Sequence, residues 1–338
     1  MTPFLGHDKA RRVFCQSYAK GTLHHAWILA GDRGLGKAGF ARQAAHFLLN
    51  SLNHPTEFSD NPSDEASHLL DAGSHPDFRL LRRGPKTDKE EKKARDKGLD
   101  SLEEHELARN IKIDQVRKLQ PLFNNQSSIS EYRVVVVDAA DDLERNGANA
   151  LLKNLEEPPK KTVFFLISHM PDRLLPTIRS RCQLLRFDPL GEADMRAILT
   201  QSSPKMTEAE INALIVAGEG SPGRALRYAE AGLAELELLA QKIIQSGDRD
   251  NVLKNELSRK LALKAATPRY HAFLNRAPSL IAEHIKKSGR GGSMQAIEKW
   301  REASDLAAMA VPKTLDNQAV VFRLGSLMGE LARLNNPN

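Results

Sequence analysis

The amino-acid sequence predicts an α/β domain built on a largely parallel sheet, followed by an all-helical region. Three observations support this. Short β-type runs alternate with helical patterns through the first half of the chain, as strands and crossover helices do. One run, AWILAG (26–31), leads through a glycine-rich loop into a helical pattern. Beyond about Pro189 the strand-like runs stop.

The strands come first. AWILAG (26–31), FRLLR (78–82), RVVVVD (133–138), VFFLIS (163–168) and LLRF (184–187) are short and nearly continuous in apolarity, the pattern of strands covered on both faces. They predict a five-stranded sheet. After the loop, Phe40, Ala41, Ala44, Ala45, Leu48 and Leu49 recur at helical spacing, so a helix follows the first strand. The stretch 83–109 mixes both charge signs with few large apolar residues, which predicts an exposed insertion rather than a buried element. Helical patterns then cover 192–202, 208–218 and 223–246, with several more between 251 and 335.

Bulk properties narrow the function. With 338 residues, 41% of them hydrophobic, the chain is long enough for two or three domains with real cores. A net charge of +6 is compatible with a polyanionic partner but does not single one out. The two cysteines, Cys15 and Cys182, make neither a disulfide framework nor a zinc ligand set, which fits a reducing cytoplasm. The first residues lack the apolar core of a signal peptide, and no run approaches the roughly 18 apolar residues of a membrane span. A membrane role is therefore not expected, and no metal site is predicted.

The loop is where chemistry begins. Gly31, Gly34, Gly36 and Lys37 satisfy the phosphate-cradling pattern GxxxxGK up to the lysine, whose charge pairs with outer phosphates. Ala38 then stands where a hydroxyl would ligate magnesium. About a hundred residues later the valine run ends in Asp138, the metal-orienting acid of such proteins, but Ala139 follows where a second acid would prepare the attacking water. Two hydrolytic elements are missing together. The cup for phosphates is kept, and hydrolysis by this chain is expected to be absent or very weak.

Six further stretches stand in a fixed order: Leu23-His24-His25-Ala26-Trp27 before the loop, His75-Pro76-Asp77, IKIDQVRKL (111–119), ANALLKNLEEPP (148–159), LLPTIRSRCQLLRF (174–187) and GSPGRAL (220–226). Taken in that order, they resemble the AAA+ clamp-loader subunits of bacterial DNA polymerase III. Within IKIDQVRKL, Asp114 is placed as an N-cap. The resemblance covers about residues 20–230 and implies a RecA-like α/β domain (1–188), a helical lid (189–230) and a C-terminal helical collar domain (231–338). It gives Arg181, in Ser180-Arg181-Cys182, the role of an arginine finger acting on a neighbour's nucleotide. On the residues alone, the preferred reading of Arg181 is a surface arginine that neutralises Asp188 or binds a backbone carbonyl. The resemblance makes Ser168 the first sensor, able to reach a phosphate or water, and Arg224 the second, which contacts a nucleotide in the chain's own loop or else caps or salt-bridges the helical domain.

The resemblance implies ATP or ADP as the cofactor, held weakly or without turnover. It implies homologous ATPase subunits and a clamp-opening subunit as ring partners, with the sliding clamp and primed DNA met through the complex. Related subunits often carry a four-cysteine zinc module here, but residues 50–75 contain no cysteine, so no zinc is expected. A self-sufficient ATPase or DNA-remodelling protein is the alternative reading.

Overall fold

The computed structural model describes residues 5–50, 58, 65–102, 106–124, 129–202, 204, 206–230, 232–263, 266–288 and 293–335. It divides into two compact units, Met1–Asp194 and Met195–Asn338.

In the first unit the strands are β1 (Ala26–Ala30), β2 (Phe78–Arg82), β3 (Arg133–Asp138), β4 (Thr162–Ser168) and β5 (Gln183–Arg186). They form one parallel sheet in the order β2-β3-β4-β1-β5. The central strands alternate between two cores because successive side chains point to opposite faces. Trp27, Leu29, Val134, Val136, Phe165 and Ile167 enter one core, which Phe14 and Phe40 complete. Ala26, Ile28, Val135, Val137, Phe164 and Leu166 enter the other. Helices α1 (Asp8–Ala19) and α2 (Lys37–Leu49) supply the first core.

The helices that follow are α3 (Glu65–Asp71), α4 (Asp88–Lys97), α5 (Ile113–Arg117), α6 (Gln120–Asn124), α7 (Arg145–Glu156) and α8 (Pro176–Arg179). Leu151 and Leu155 of α7 and Ile178 of α8 cover the second face.

The two outer strands depart from the expectation of burial on both faces. β2 and β5 each have one neighbour, and Leu80 and Leu184 are 42% and 43% exposed. A continuous apolar run cannot tell an edge strand from a central one, because edge position depends on pairing elsewhere in the chain. Within the charged insertion, α4 buries no residue, as expected of its composition. Asp114 is not a cap. It lies inside the first turn of α5, whose N-terminus is instead satisfied by Glu144, accepting from Ile113 N at 2.6 Å, and Gln115, accepting from Lys112 N at 3.0 Å. The His-Pro-Asp segment is structural: Asp77 Oδ2 accepts from the backbone of Ile129 and Ser130, both at 3.0 Å. Of the stretch 50–75, read as lacking a zinc module, residues 51–57 and 59–64 lie outside the described residues.

The second unit takes in α10 (Glu208–Gly218), α11 (Pro222–Glu230), α12 (Leu233–Ser246), α13 (Val252–Ala262), α14 (Thr267–Lys287), α15 (Met294–Ala310) and α16 (Asn317–Asn335), while α9 (Glu192–Ser202) crosses the boundary. The single helix expected over 223–246 is two, because Gly232 takes a left-handed φ of 64° between α11 and α12. Ile243, Leu257, Phe273, Ile281, Leu324 and Leu327 form its core. Among the described residues no helix is long and apolar enough to cross a membrane.

Candidate functional site

The parallel sheet places the C-terminal ends of β1, β3 and β4 side by side, so the loop after β1 meets the residues that close β3 and β4. The loop needs its glycines. Gly34 and Gly36 both have φ of 87°, and a Cβ on Gly31 would stand 2.3 Å from the Phe187 carbonyl oxygen. At the start of α2, Lys37 is only 3% exposed, and its ammonium donates to the carbonyls of Gly31 at 2.5 Å and Asp32 at 2.6 Å. Burial pushes its pKa down to about 8, against the pull of Asp138, Asp141 and Asp32.

Asp138 ends β3, and burial raises its pKa although Arg82, Lys37 and Arg33 oppose the rise. Ala38 is exposed and Ala139 buried, and neither carries an oxygen. These residues fit a phosphate group, with donors and a cation in a glycine cradle. They do not fit the usual magnesium shell, which lacks its hydroxyl. Among the described residues no cluster of three or more His, Cys, Asp or Glu could hold a metal. A cleft of about 930 Å³ adjoins Ala38 and Asp138 and is lined further by Arg42, Arg79 and Arg82.

Ser168 is fully buried at the end of β4, and its hydroxyl donates to Asp141 Oδ1 at 2.8 Å. The same carboxylate accepts from the backbone N–H of His169 at 2.6 Å and of Met170 at 3.3 Å. Asp141 therefore ties the turn after β3 to the turn after β4. His7 makes a similar tie: its Nε2 bonds the Leu35 carbonyl at 2.7 Å, and its ring packs on Phe187. Burial holds the His7 pKa below the ordinary histidine range.

Arg181 follows α8. Its guanidinium donates to the Thr177 carbonyl at 2.8 Å and pairs with Glu156 Oε1, at the end of α7, at 2.8 Å. The neutralising acid is Glu156, not Asp188. Arg179 pairs with Asp172 at 3.1 Å. Next to Arg181, burial raises the Cys182 thiol to about 12, so it stays protonated and inert. Arg224 belongs to the second unit, where it pairs with Glu219. The structure thus gathers Gly31, Gly34, Gly36, Lys37, Asp138 and Ser168 around one loop, with Ala38 opening the helix beside it. Asp141, His169, Glu156 and His7 were not singled out by the sequence, since their roles rest on partners distant in the chain.

Sheet order, the glycine loop between β1 and α2, and the acid closing β3 together define a P-loop protein of the AAA+ class. The family model described as DNA polymerase III, delta subunit, matches residues 6–191, and the chain belongs to that family. It is 34% identical to the DNA polymerase III subunit delta′ of Pseudomonas aeruginosa over 211 residues, 62% of this chain and 57% of that protein. It is 32% identical to the subunit delta′ of Escherichia coli over 224 residues, 66% of this chain and 59% of that protein. The alignments therefore span under two thirds of the length of these relatives. Among solved structures, a DNA polymerase III gamma subunit-related protein from Thermotoga maritima is 16% identical with a TM-score of 0.43, covering 96% of this chain and 99% of that one.

Proposed function

We propose that this chain is a clamp-loader subunit that binds but does not hydrolyse nucleotide and lends Arg181 to a neighbouring ATPase. The observation behind this reading is a phosphate cradle with Lys37 in place, while Ala38 and Ala139 bring no oxygen to the positions that hold magnesium and prepare water. Binding and turnover are thereby separated. The loop glycines and Lys37 hold the phosphates of ATP or ADP, and Ala139 carries no group that could activate an attacking water. Ser168 is tied to Asp141.

In this reading the useful charge lies elsewhere on the chain. Arg181 is permanently cationic, and its planar guanidinium suits a neighbour's γ-phosphate, where charge develops during transfer. Its present partner Glu156 is a half-exposed carboxylate that a stronger anion displaces. The partners are homologous ATPase subunits and a clamp-opening subunit, and the complex acts on the sliding clamp at primed DNA. Within it, 1–188 is the nucleotide domain, 189–230 the lid and 231–338 the collar.

Phosphate release tests the whole reading. The purified chain with magnesium and ATP is expected to stay at background, while Arg181→Ala lowers turnover by the reconstituted complex. Magnesium-dependent release by the chain alone, abolished by Lys37→Ala, would establish a self-sufficient ATPase instead.

A further inference from the structure

The cleft beside Ala38 and Asp138 has a cation in its wall that the proposed function leaves without a role. Arg82 ends β2 and pairs in register with Asp138, which ends β3. Residues opposed on adjacent strands lie about 5 Å apart and project to the same face of the sheet. That face is the one α2 covers, because the pair two residues earlier is Leu80 with Val136, and Val136 lies in one core with Phe40 of α2. A guanidinium and a carboxylate therefore leave the sheet side by side. Ala38 and Gly39, in the first turn of α2, line the same cleft of about 930 Å³ as Arg82 and Asp138. On the Asp138 carboxylate the pull of Arg82 exceeds that of Lys37 and of Arg33. The backbone that carries Arg82 is anchored: its carbonyl accepts from Gln115 Nε2 at 2.9 Å, and the next residue, Arg83, pairs with Asp142 at 3.1 Å.

We propose that Arg82 takes the place of the magnesium ion, its guanidinium held by Asp138 and donating to the phosphates of a nucleotide in the Gly31–Lys37 loop, so that this chain binds nucleotide without metal. The assignment rests on the reading of that loop as nucleotide-binding. Magnesium demands a near-ideal octahedral shell of oxygens and gives up its waters reluctantly. Ala38 offers it no oxygen. A guanidinium asks for acceptors instead, and its planar fork of N–H donors can meet a carboxylate on one edge and a phosphate on another. Loss of a hydroxyl at position 38 therefore costs the arginine nothing, while it costs the ion a ligand. The two cations also exclude each other, because a second positive charge beside the same carboxylate is repelled by the first. Without an oxygen at position 38, the guanidinium holds that place against the ion.

Calorimetric titration of the full chain with ADP, in EDTA and again in excess magnesium, tests the assignment. Wild-type protein is expected to bind at least as tightly in EDTA as in magnesium. Arg82→Gln should weaken binding in EDTA about tenfold, in line with loss of one charge-assisted hydrogen bond, and magnesium should then strengthen it, since the ion regains its place beside Asp138. Arg82→Lys, which keeps the charge but not the fork, should fall between the two in EDTA. Arg82 is partly exposed on an edge strand, so both variants should keep the wild-type melting temperature, which separates phosphate contact from a fold defect. Tight ADP binding by the wild type only with magnesium, or wild-type affinity of Arg82→Gln in EDTA, with Lys37→Ala still abolishing binding, would overturn the assignment and leave the loop reading standing. No ADP binding by the wild-type chain in either solution would overturn both.

Discussion

The guanidinium of Arg181 stands 2.8 Å from the carboxylate of Glu156, so the residue proposed to serve a neighbour is held in readiness by its own chain. Both side chains are partly exposed, at 34% and 47%, and such a pair contributes at most about 1 kcal/mol. Glu156→Gln should leave the melting temperature unchanged and keep ATP turnover by the reconstituted complex within about twofold, because the Thr177 carbonyl still holds the guanidinium. Arg181→Ala should lower turnover at the neighbouring site roughly a thousandfold. Arg181→Lys should not rescue it, since an ammonium cannot make the planar two-point contact. Steady-state phosphate release, with gel filtration to verify assembly, reads both; unchanged turnover in Arg181→Ala would refute the trans role.

The two alanines differ in what a restored oxygen would cost. Ala38 is exposed in the first turn of α2, and Ala38→Ser should fold normally and add a magnesium dependence to nucleotide binding. Ala139 is 4% exposed, so Ala139→Glu forces a carboxylate into a space that held a methyl group. We expect a loss of about 2 kcal/mol and a melting temperature lower by roughly 5 °C for the first unit. Calorimetry of the two variants checks the contrast. A stable Ala139→Glu that releases phosphate from ATP would mean that only the acid had been missing.

Much of this architecture could be read from the residues, and the exceptions share one physical cause. The three central strands announce themselves because both faces are buried, and the loop because GDRGLGK has few other uses. Helices 192–202 and 208–218 emerge at the expected bounds. Asp141 was invisible because its partners are the hydroxyl of Ser168 and the backbone N–H groups of His169 and Met170, and no local pattern connects these positions. Asp114 misled for the converse reason. It has the right chemistry for a cap, but Glu144, 31 residues from the Ile113 N–H it accepts, performs that role from another element. Edge strands followed the same logic, since a sheet's order is a property of all its strands at once.

Lys37 makes the stability of the chain depend on pH in a definite direction. Burial lowers its pKa from the ordinary 10.5 to about 8, so between these values the unfolded chain binds the proton that the folded chain has released. Stability from this group therefore rises as pH climbs from about 8 toward 10.5, and below 8 the cost of the buried charge is fully present. Lys37→Met should remove that slope. Urea titrations at half-unit steps from pH 7 to pH 10 should show wild type gaining on the variant with rising pH. Parallel curves would mean that the ammonium has an ordinary pKa in the fold. Saturating ADP should flatten the wild-type slope as well, because a phosphate beside Lys37 favours its charged form.

In the second unit, Arg276 is 4% exposed and bridges Glu237, itself 5% exposed, and Glu283. Arg276 donates to both oxygens of Glu237, at 3.0 and 2.8 Å. Burial pushes the Glu237 carboxyl above its ordinary pKa even with that partner present. Removing the arginine alone strands a buried acid, so Arg276→Ala should cost about 3–5 kcal/mol, a fall in the urea midpoint of about 1–2 M for this unit. Replacing both charges by apolar groups of similar volume removes the desolvation cost along with the attraction. Glu283 is 24% exposed and can turn to water once Arg276 is gone. Arg276→Met with Glu237→Leu should therefore return to within about 1 kcal/mol of wild type. A double variant as unstable as Arg276→Ala would show that the pair does more than neutralise itself, and that α12 and α14 depend on it for their packing.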